Sequence, residues 1–244
     1  MPHGVGRMTA RSVLLSVLLG AHPAHATAAE LVKLVADFGI REATVRVALT
    51  RLVAAGDLVR DDDGYRLSDR LLARQRRQDD ALAPRVRPWD GGWLVLVITA
   101  VGNAPRDRAA LRTGLQQLRY GELREGVWLR PDNLVGTLPP AVDHQVRMLR
   151  ATDDRPHELA ARLWDLQGWA ATGRELLAAM SAADMPARFV TAAAIVRHVV
   201  TDPVLPDALL PPAWPGAELR RAYAEFAAEL AARRHQIELT KGVT

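Results

Sequence analysis

Residues 40–68, IREATVRVALTRLVAAGDLVRDDDGYRLS, constrain the fold more than any other stretch of this chain. An amphipathic run begins near Arg41 and is stopped by Gly56. Directly behind it Leu58-Val59-Arg60 and Tyr65-Arg66-Leu67 flank Asp63-Gly64, a dipeptide that readily takes the positive φ of a type I′ hairpin turn. Taken alone, the pattern fits an ordinary surface helix with a hairpin behind it. It fits equally a helix made to lie in a DNA groove with a wing beside it.

The residues in front narrow the choice. GRMTARSVLLSVLLGAHPAHA has two arginines, a short apolar stretch and Ala24-His25-Ala26, which resembles a signal-peptidase site. Its apolar core, Val13–Leu19, is short and interrupted by Ser16, and it sets Val13, Leu14, Val17 and Leu18 on one stripe. We read it as a packed first helix. Thr27-Ala-Ala-Glu30 has the form of a capping box and opens a second helix through Leu31, Val32, Leu34 and Val35. Gly39 in the DFG at 37–39 suits the C′ position that ends it. Three helices and then a hairpin is the element order of a winged helix-turn-helix. Ser68 is placed to cap a further helix, DRLLARQRRQDDAL, ahead of a linker between Pro84 and Pro88.

Advancing 100° per residue from Val45 puts Ala48, Leu49 and Leu52 within about 60° of it, as a packing face. Opposite lie Ala43, Val47 and Thr50, flanked by Thr44 and Arg51 on one side and Arg46 on the other. A solvated face usually carries long charged side chains at its centre, whereas here the centre is small. Small residues let a helix approach base edges, where Ala43, Val47 or the Thr50 methyl can meet a thymine methyl. Thr44 can bond phosphate or base, and Arg46 and Arg51 can reach a phosphate or a guanine. Arg41 is a poor N-cap. On the hairpin, Arg60, Tyr65 and Arg66 are the groups able to approach DNA, while the tip, DDDG, is repulsive to a phosphate backbone.

Charge is distributed consistently with this. Residues 1–88 carry 14 Lys+Arg against 10 Asp+Glu, and residues 89–244 carry 18 against 18, so the excess of +4 lies wholly with the helix-rich segment. The chain has no cysteine, which excludes disulfides and thiolate metal sites and fits a reducing cytoplasm. No apolar run has the length of a membrane span.

From Trp89 the texture changes. GWLVLVITA is a near-continuous buried strand, followed by a helix at Arg106–Leu118, strands at Gly126–Arg130 and Gln145–Thr152, and a helix from about Pro156. That β-α-β-β-α order predicts a small ferredoxin-like sandwich. From Gly168 the pattern is helical, interrupted by TDPVLPDALLPPAWPG at 201–216. The chain is thus expected to be α+β with three domains: a winged helix-turn-helix (1–83), a ferredoxin-like domain (89–165) and a helical C-terminal domain (166–244).

ARSVLL, ATVRVALTRL, GYRLS, RQRRQD, WDGGWLVLVI, REGVWLRPDNL, LWDL and TDPVLPDALLPPAWPG follow one another in an order that resembles the PaaX family, repressors of phenylacetate catabolism. The likeness spans about residues 9 to 230; the first domain alone also resembles GntR-type regulators. The resemblance implies a homodimeric, cytoplasmic repressor that binds an inverted-repeat operator in double-stranded DNA. It also implies a central domain resembling CRISPR-adaptation nucleases, release by a small-molecule effector such as phenylacetyl-CoA, and DNA contacts at Thr44, Arg46 and Thr50. AIVRHVV, before the proline-rich stretch, is poor in aromatics.

Catalysis finds little support. A phosphodiesterase needs metal-holding carboxylates at the end of the first strand of such a domain. That strand ends in Ile98-Thr99-Ala100, and Asp90 lies before it. The chain is therefore expected to be no enzyme, although a nuclease-like scaffold is a second alternative to the regulator. The seven histidines show no metal-binding spacing, and no glycine-rich phosphate loop is present, so neither metal nor bound cofactor is expected. Arg197 and His198, just before the proline-rich stretch, are the candidates to face an acyl-CoA phosphate or carbonyl. The tryptophans at 89, 93, 128, 164, 169 and 214 are expected to be mostly core, with one or two available to a ligand pocket between the central and C-terminal domains.

Overall fold

A computed structural model describes residues 9–100, 104–181 and 184–239. Residues 1–8 and 240–244, at the outer limits of the expected first and third domains, lie outside that description.

The first helix, α1 (Ala10–Leu19), is held at its start by a capping box between Thr9 and Ser12, and buries Val13, Leu14, Val17 and Leu18 as the stripe predicted. A two-residue strand, β1 (His25–Ala26), follows. It was not expected, because two residues carry no periodicity to read. Helix α2 (Ala28–Ala36) opens on the expected capping box, with the Glu30 amide donating to Thr27 Oγ1 at 3.2 Å and the Thr27 amide to Glu30 Oε2 at 2.9 Å. It ends one residue earlier than foreseen: Asp37 is the C-cap, and Gly39, at φ 66°, lies beyond C′. Helix α3 (Glu42–Ala54) stops at Gly56, φ 69°.

The hairpin of β2 (Leu58–Arg60) and β3 (Tyr65–Leu67) pairs Arg60 with Tyr65 across a loop of Asp61 to Gly64. The expected two-residue type I′ turn does not form. Asp61 closes the loop instead, its amide donating to the Gly64 carbonyl at 3.1 Å and its carboxylate accepting from the Gly64 amide at 2.8 Å. Only Gly64 in this loop takes a positive φ, 151°. A Cβ there would lie 2.6 Å from the Ala26 carbonyl oxygen, so glycine is what lets β1 approach and complete the sheet order β1-β3-β2.

Helix α4 (Asp69–Leu82) covers the sequence expected for it, but the Ser68 hydroxyl is buried with no hydrogen-bond partner among the described residues and does not cap it. Asp57 and Gln75 are buried polar residues that tie this region together. Asp57 accepts from Arg11 at 2.6 Å and also from Arg70, joining α1, the base of the hairpin and α4. Gln75 Nε2 donates to the carbonyls of Leu19 (3.0 Å) and Ala21 (2.9 Å), satisfying the end of α1.

The central sheet has four strands where three were expected: β4 (Gly92–Ile98), β5 (Gly121–Arg124), β6 (Val127–Pro131) and β7 (Val146–Thr152). The overlooked strand is GELR, too short and charged to alternate. The order is β5-β6-β4-β7 with every neighbouring pair antiparallel. Helix α5 (Pro105–Gln117) follows β4, the four-residue α6 (Pro140–Asp143) precedes β7, and α7 (Pro156–Leu163) follows it. Both faces of β4 are covered, which explains why it reads as an unbroken apolar run. Trp93 and Val95 face a cluster with Leu129, Ala160 and Leu205, while Leu94, Leu96 and Ile98 face Leu111, Leu115 and Trp128.

Helices α8 (Leu166–Met180), α9 (Met185–Val199) and α10 (Gly216–Leu239) follow, with a 3₁₀ turn at Asp207–Leu209. Two compact units result, and they do not follow chain order. Of the described residues, one holds those up to Leu82 with those of Glu175–Val200 and those from Ala217 on; the other holds those of Ala83–Arg174 and Thr201–Gly216. Within the first unit, Phe189 of α9 meets Phe38 edge-on at 4.8 Å, Arg220 Nε donates to Ala81 O at 2.9 Å, and Arg233 pairs with Asp37 at 2.9 Å. Within the second, all six tryptophans are buried or partly buried, and Trp169 stacks on Trp214 at 4.3 Å.

Candidate nucleic-acid interface

Helix α3 turns Val45, Ala48, Leu49 and Leu52 inward and leaves Ala43, Thr44, Arg46, Val47, Thr50 and Arg51 exposed. Val47 is 51% exposed, at the centre of a face whose neighbours are alanine and threonine. Arg41 occupies the N-cap without a side-chain capping bond.

Two side chains on this face are already engaged. Arg46 donates from Nε (2.8 Å) and Nη2 (2.6 Å) to Glu42 Oε1, one turn back. The Thr50 hydroxyl donates to the Arg46 carbonyl at 3.1 Å. The i, i+4 spacing of Glu42 and Arg46 was a legible sign of the first pair. Glu42 thus competes for the guanidinium with any partner outside the chain.

On the hairpin, Arg60 and Arg66 are exposed and Tyr65 is half-buried. The three aspartates at the tip are not equivalent. Asp61 is committed to the turn and lies 3.6 Å from His25 Nε2 and 3.8 Å from Arg66 Nε. Asp62 and Asp63 are exposed with no ion-pair partner among the described residues. The acidity of the tip is therefore carried chiefly by these two.

Arg197 is exposed on α9 and lines a cavity within the first unit; His198 is half-buried and is not part of that lining. No tryptophan lines this cavity. In the second unit Asp90 accepts from the Gly92 amide at 3.0 Å and pairs with Arg150, and these two interactions, in that order, hold its carboxyl below the usual range. Arg150 also reaches Asp132 at 3.2 Å, and its hydrogen bonds to the two carboxylates raise its own pKa. Asp90 is thus placed as an ion-pair partner at the start of β4. Among the described residues no group of acidic and histidine side chains could hold a metal ion, and no helix is long and apolar enough to cross a membrane.

An exposed small-residue helix face on one unit and a four-stranded antiparallel sheet in the other define a multidomain α+β protein. Residues 9–71 match the model of the PaaX-like protein family, 86–160 that of the PaaX protein central Cas2-like domain, and 162–238 that of the PaaX-like protein C-terminal domain. The chain belongs to the PaaX family, a family of transcription regulators of phenylacetate catabolism rather than of enzymes. Among solved structures it is similar to an uncharacterized protein, Rv0674, from Mycobacterium tuberculosis. The two share 62% identity over 94% of this chain and 99% of that one, with a TM-score of 0.83. No curated protein matches significantly.

Proposed function

We propose that the chain is a ligand-responsive, DNA-binding transcriptional repressor of catabolic genes. In this reading residues 1–83 form a winged helix-turn-helix, 89–165 a ferredoxin-like domain and 166–244 a helical domain. Helix α3 enters the major groove of an inverted-repeat operator. The observation that carries the reading is the exposed face of α3, small at its centre and basic at its edges, in a chain whose family is one of regulators. Thr44, Arg46 and Thr50 contact base edges or phosphates, with Ala43, Val47, Arg41 and Arg51 around them. Arg60, Tyr65 and Arg66 reach the backbone from the hairpin while Asp62 and Asp63 point away from it.

A homodimer is supported by β7, an edge strand with Met148 and Leu149 about half exposed. The dimer sets two α3 helices against successive half-sites. An anionic effector of the aryl-CoA type, phenylacetyl-CoA for example, favours a conformation in which the two helices no longer match that spacing. Such a repressor works in the cytoplasm.

Because the Thr50 hydroxyl is tied to the helix backbone, its methyl is the group offered to DNA. Thr50→Ala and Thr50→Ser should then weaken operator binding alike in an anisotropy titration. A Thr50→Ser protein with wild-type affinity would remove the methyl contact, and wild-type affinity in both Thr50→Ala and Arg46→Ala would sink the groove assignment.

A further inference from the structure

The cavity lined by Arg197 has a volume of about 370 Å³ and is bounded wholly by residues of the first unit. Its apolar wall includes Val17, Leu34, Phe189 and Phe226, all buried, together with half-buried Tyr223. The charged groups of its lining are guanidinium groups. Arg74, Arg197 and Arg234 contribute guanidinium groups, His22 and His235 imidazoles, and none of the described lining residues is acidic. Arg234 is partly used, donating to the His25 carbonyl at 2.6 Å, and His22 lies 3.1 Å from Asp79. Arg74 and Arg197 are exposed and have no hydrogen-bond or ion-pair partner among the described residues.

Apolar walls with arginines and no carboxylate favour a ligand with an aromatic or acyl body and a negative head group. The volume lies at the low end of small-molecule sites, which run from roughly 300 to 1,000 Å³. It suits an aryl or short acyl group with its carboxylate, or the aryl end of a CoA thioester whose negatively charged phosphates stay outside, beside the exposed Arg74 and Arg197.

The lining also touches the elements that place the exposed helix. Leu19 to Pro23 run from the end of α1 towards β1, the strand that pairs with β3 of the hairpin. Leu34 belongs to α2, the helix immediately before α3. Gln75 holds the Leu19 and Ala21 carbonyls from the neighbouring helix α4.

We infer that this cavity is the effector site, that it takes an aryl or acyl anion with Arg74 and Arg197 receiving the negative charge, and that occupancy acts on α3 through α1, β1 and α2. This rests on the repressor reading and locates its switch inside the DNA-reading unit. The route is short: a ligand that binds better to one placement of α2 and the hairpin shifts the population towards it.

The test uses the full chain and anilinonaphthalene sulfonate, a fluorescent aromatic anion, displaced in turn by phenylacetate, phenylacetyl-CoA and CoA alone. The expected result is saturable one-to-one binding, displaced by phenylacetate or phenylacetyl-CoA and not by CoA. Displacement by phenylacetate assigns a free carboxylate; displacement by the thioester alone assigns the CoA ester. Arg74→Glu with Arg197→Glu, both exposed positions, should weaken binding by about tenfold or more, equivalent to about 1.4 kcal/mol. Ala193→Leu, which adds bulk to the lining without changing charge, should abolish it at unchanged melting temperature. Absence of binding, equal binding in wild type and both variants, or displacement by CoA alone would overturn the site. Operator affinity measured without ligand separates the two ideas: a chain that binds the aryl anion but no DNA loses the repressor reading and keeps the site, whereas one that binds DNA but no anion does the reverse.

Discussion

Replacing Arg46 by alanine probes the proposed interface where the geometry allows a magnitude to be worked out. In the unbound chain the guanidinium is held by Glu42, but both side chains are more than half exposed, at 65% and 56%, so the pair is worth only about 0.3–0.5 kcal/mol. A bidentate contact to guanine contributes about 1–3 kcal/mol. Exchange of Glu42 for a base is therefore favourable, and Arg46→Ala should cost about 1–3 kcal/mol of operator affinity, roughly 5- to 150-fold. Global stability should change by no more than a few tenths of a kcal/mol, since Arg46 is on the exposed face. Glu42→Gln frees the arginine and removes a carboxylate from beside the DNA, and should tighten binding about twofold, the equivalent of the lost pair. Anisotropy titrations at several salt concentrations distinguish the contacts. If Arg46 meets a phosphate, the loss is uniform across DNA sequences and the salt slope falls by about one. Operator affinity within twofold of wild type for Arg46→Ala at every salt concentration, with Glu42→Gln equally silent, would refute the reasoning.

Three further outcomes follow from the first unit. Asp57→Ala removes the buried carboxylate that joins Arg11 and Arg70; both arginines are exposed and rehydrate, so the cost is that of the lost charge-assisted bonds, about 1.5–3 kcal/mol by chemical denaturation, and a change under 0.5 kcal/mol would contradict it. Gly64→Ala forces a Cβ towards the Ala26 carbonyl and should cost about 1–3 kcal/mol, visible as a lower melting temperature; a neutral substitution would show that β1 is not held against the hairpin. Burial, and then the charge of Asp79, raise the Tyr223 pKa above its ordinary 10.0. A group whose folded pKa is raised binds its proton more tightly when folded, so its contribution is fully present below pH 10.0 and is lost as pH rises through the higher folded value. The stability difference between wild type and Tyr223→Phe should accordingly be flat below pH 10.0 and move against wild type above it; a difference that varies below that pH instead would refute the assignment.

What was legible in the chain followed from periodicity and local chemistry. The buried face of α3, the stripe of α1, the capping box of α2 and the doubly covered strand β4 each rest on several side chains repeating at a helical or strand interval. The misses lacked that repetition. Strand β1 has two residues, β5 is short and charged, and the Asp-Gly turn was displaced because Asp61 closes the loop with its own carboxylate. Periodicity also says which face of a helix is apolar but not what covers it. For that reason nothing in their sequences marks α9 and α10 as belonging to the same compact unit as α1 to α4. The exposed residues of α3 are individually legible on a helical wheel, and the hold of Glu42 on Arg46 is legible in their i, i+4 spacing. Arg197 was singled out by its position before the proline-rich stretch, whereas Arg74 and Arg234 come together with it only through the fold.

The central claim is that α3 reads an operator as one of a symmetric pair, and the most direct measurement is a hydroxyl-radical footprint of the full chain on the DNA upstream of its own gene. Two protected patches are expected, related by approximate two-fold symmetry, with centres about 34–36 Å or a multiple of that apart. Both should be lost together in the Arg46→Ala, Thr50→Ala double variant. A single unsymmetrical patch, or protection that survives the double variant, would contradict it.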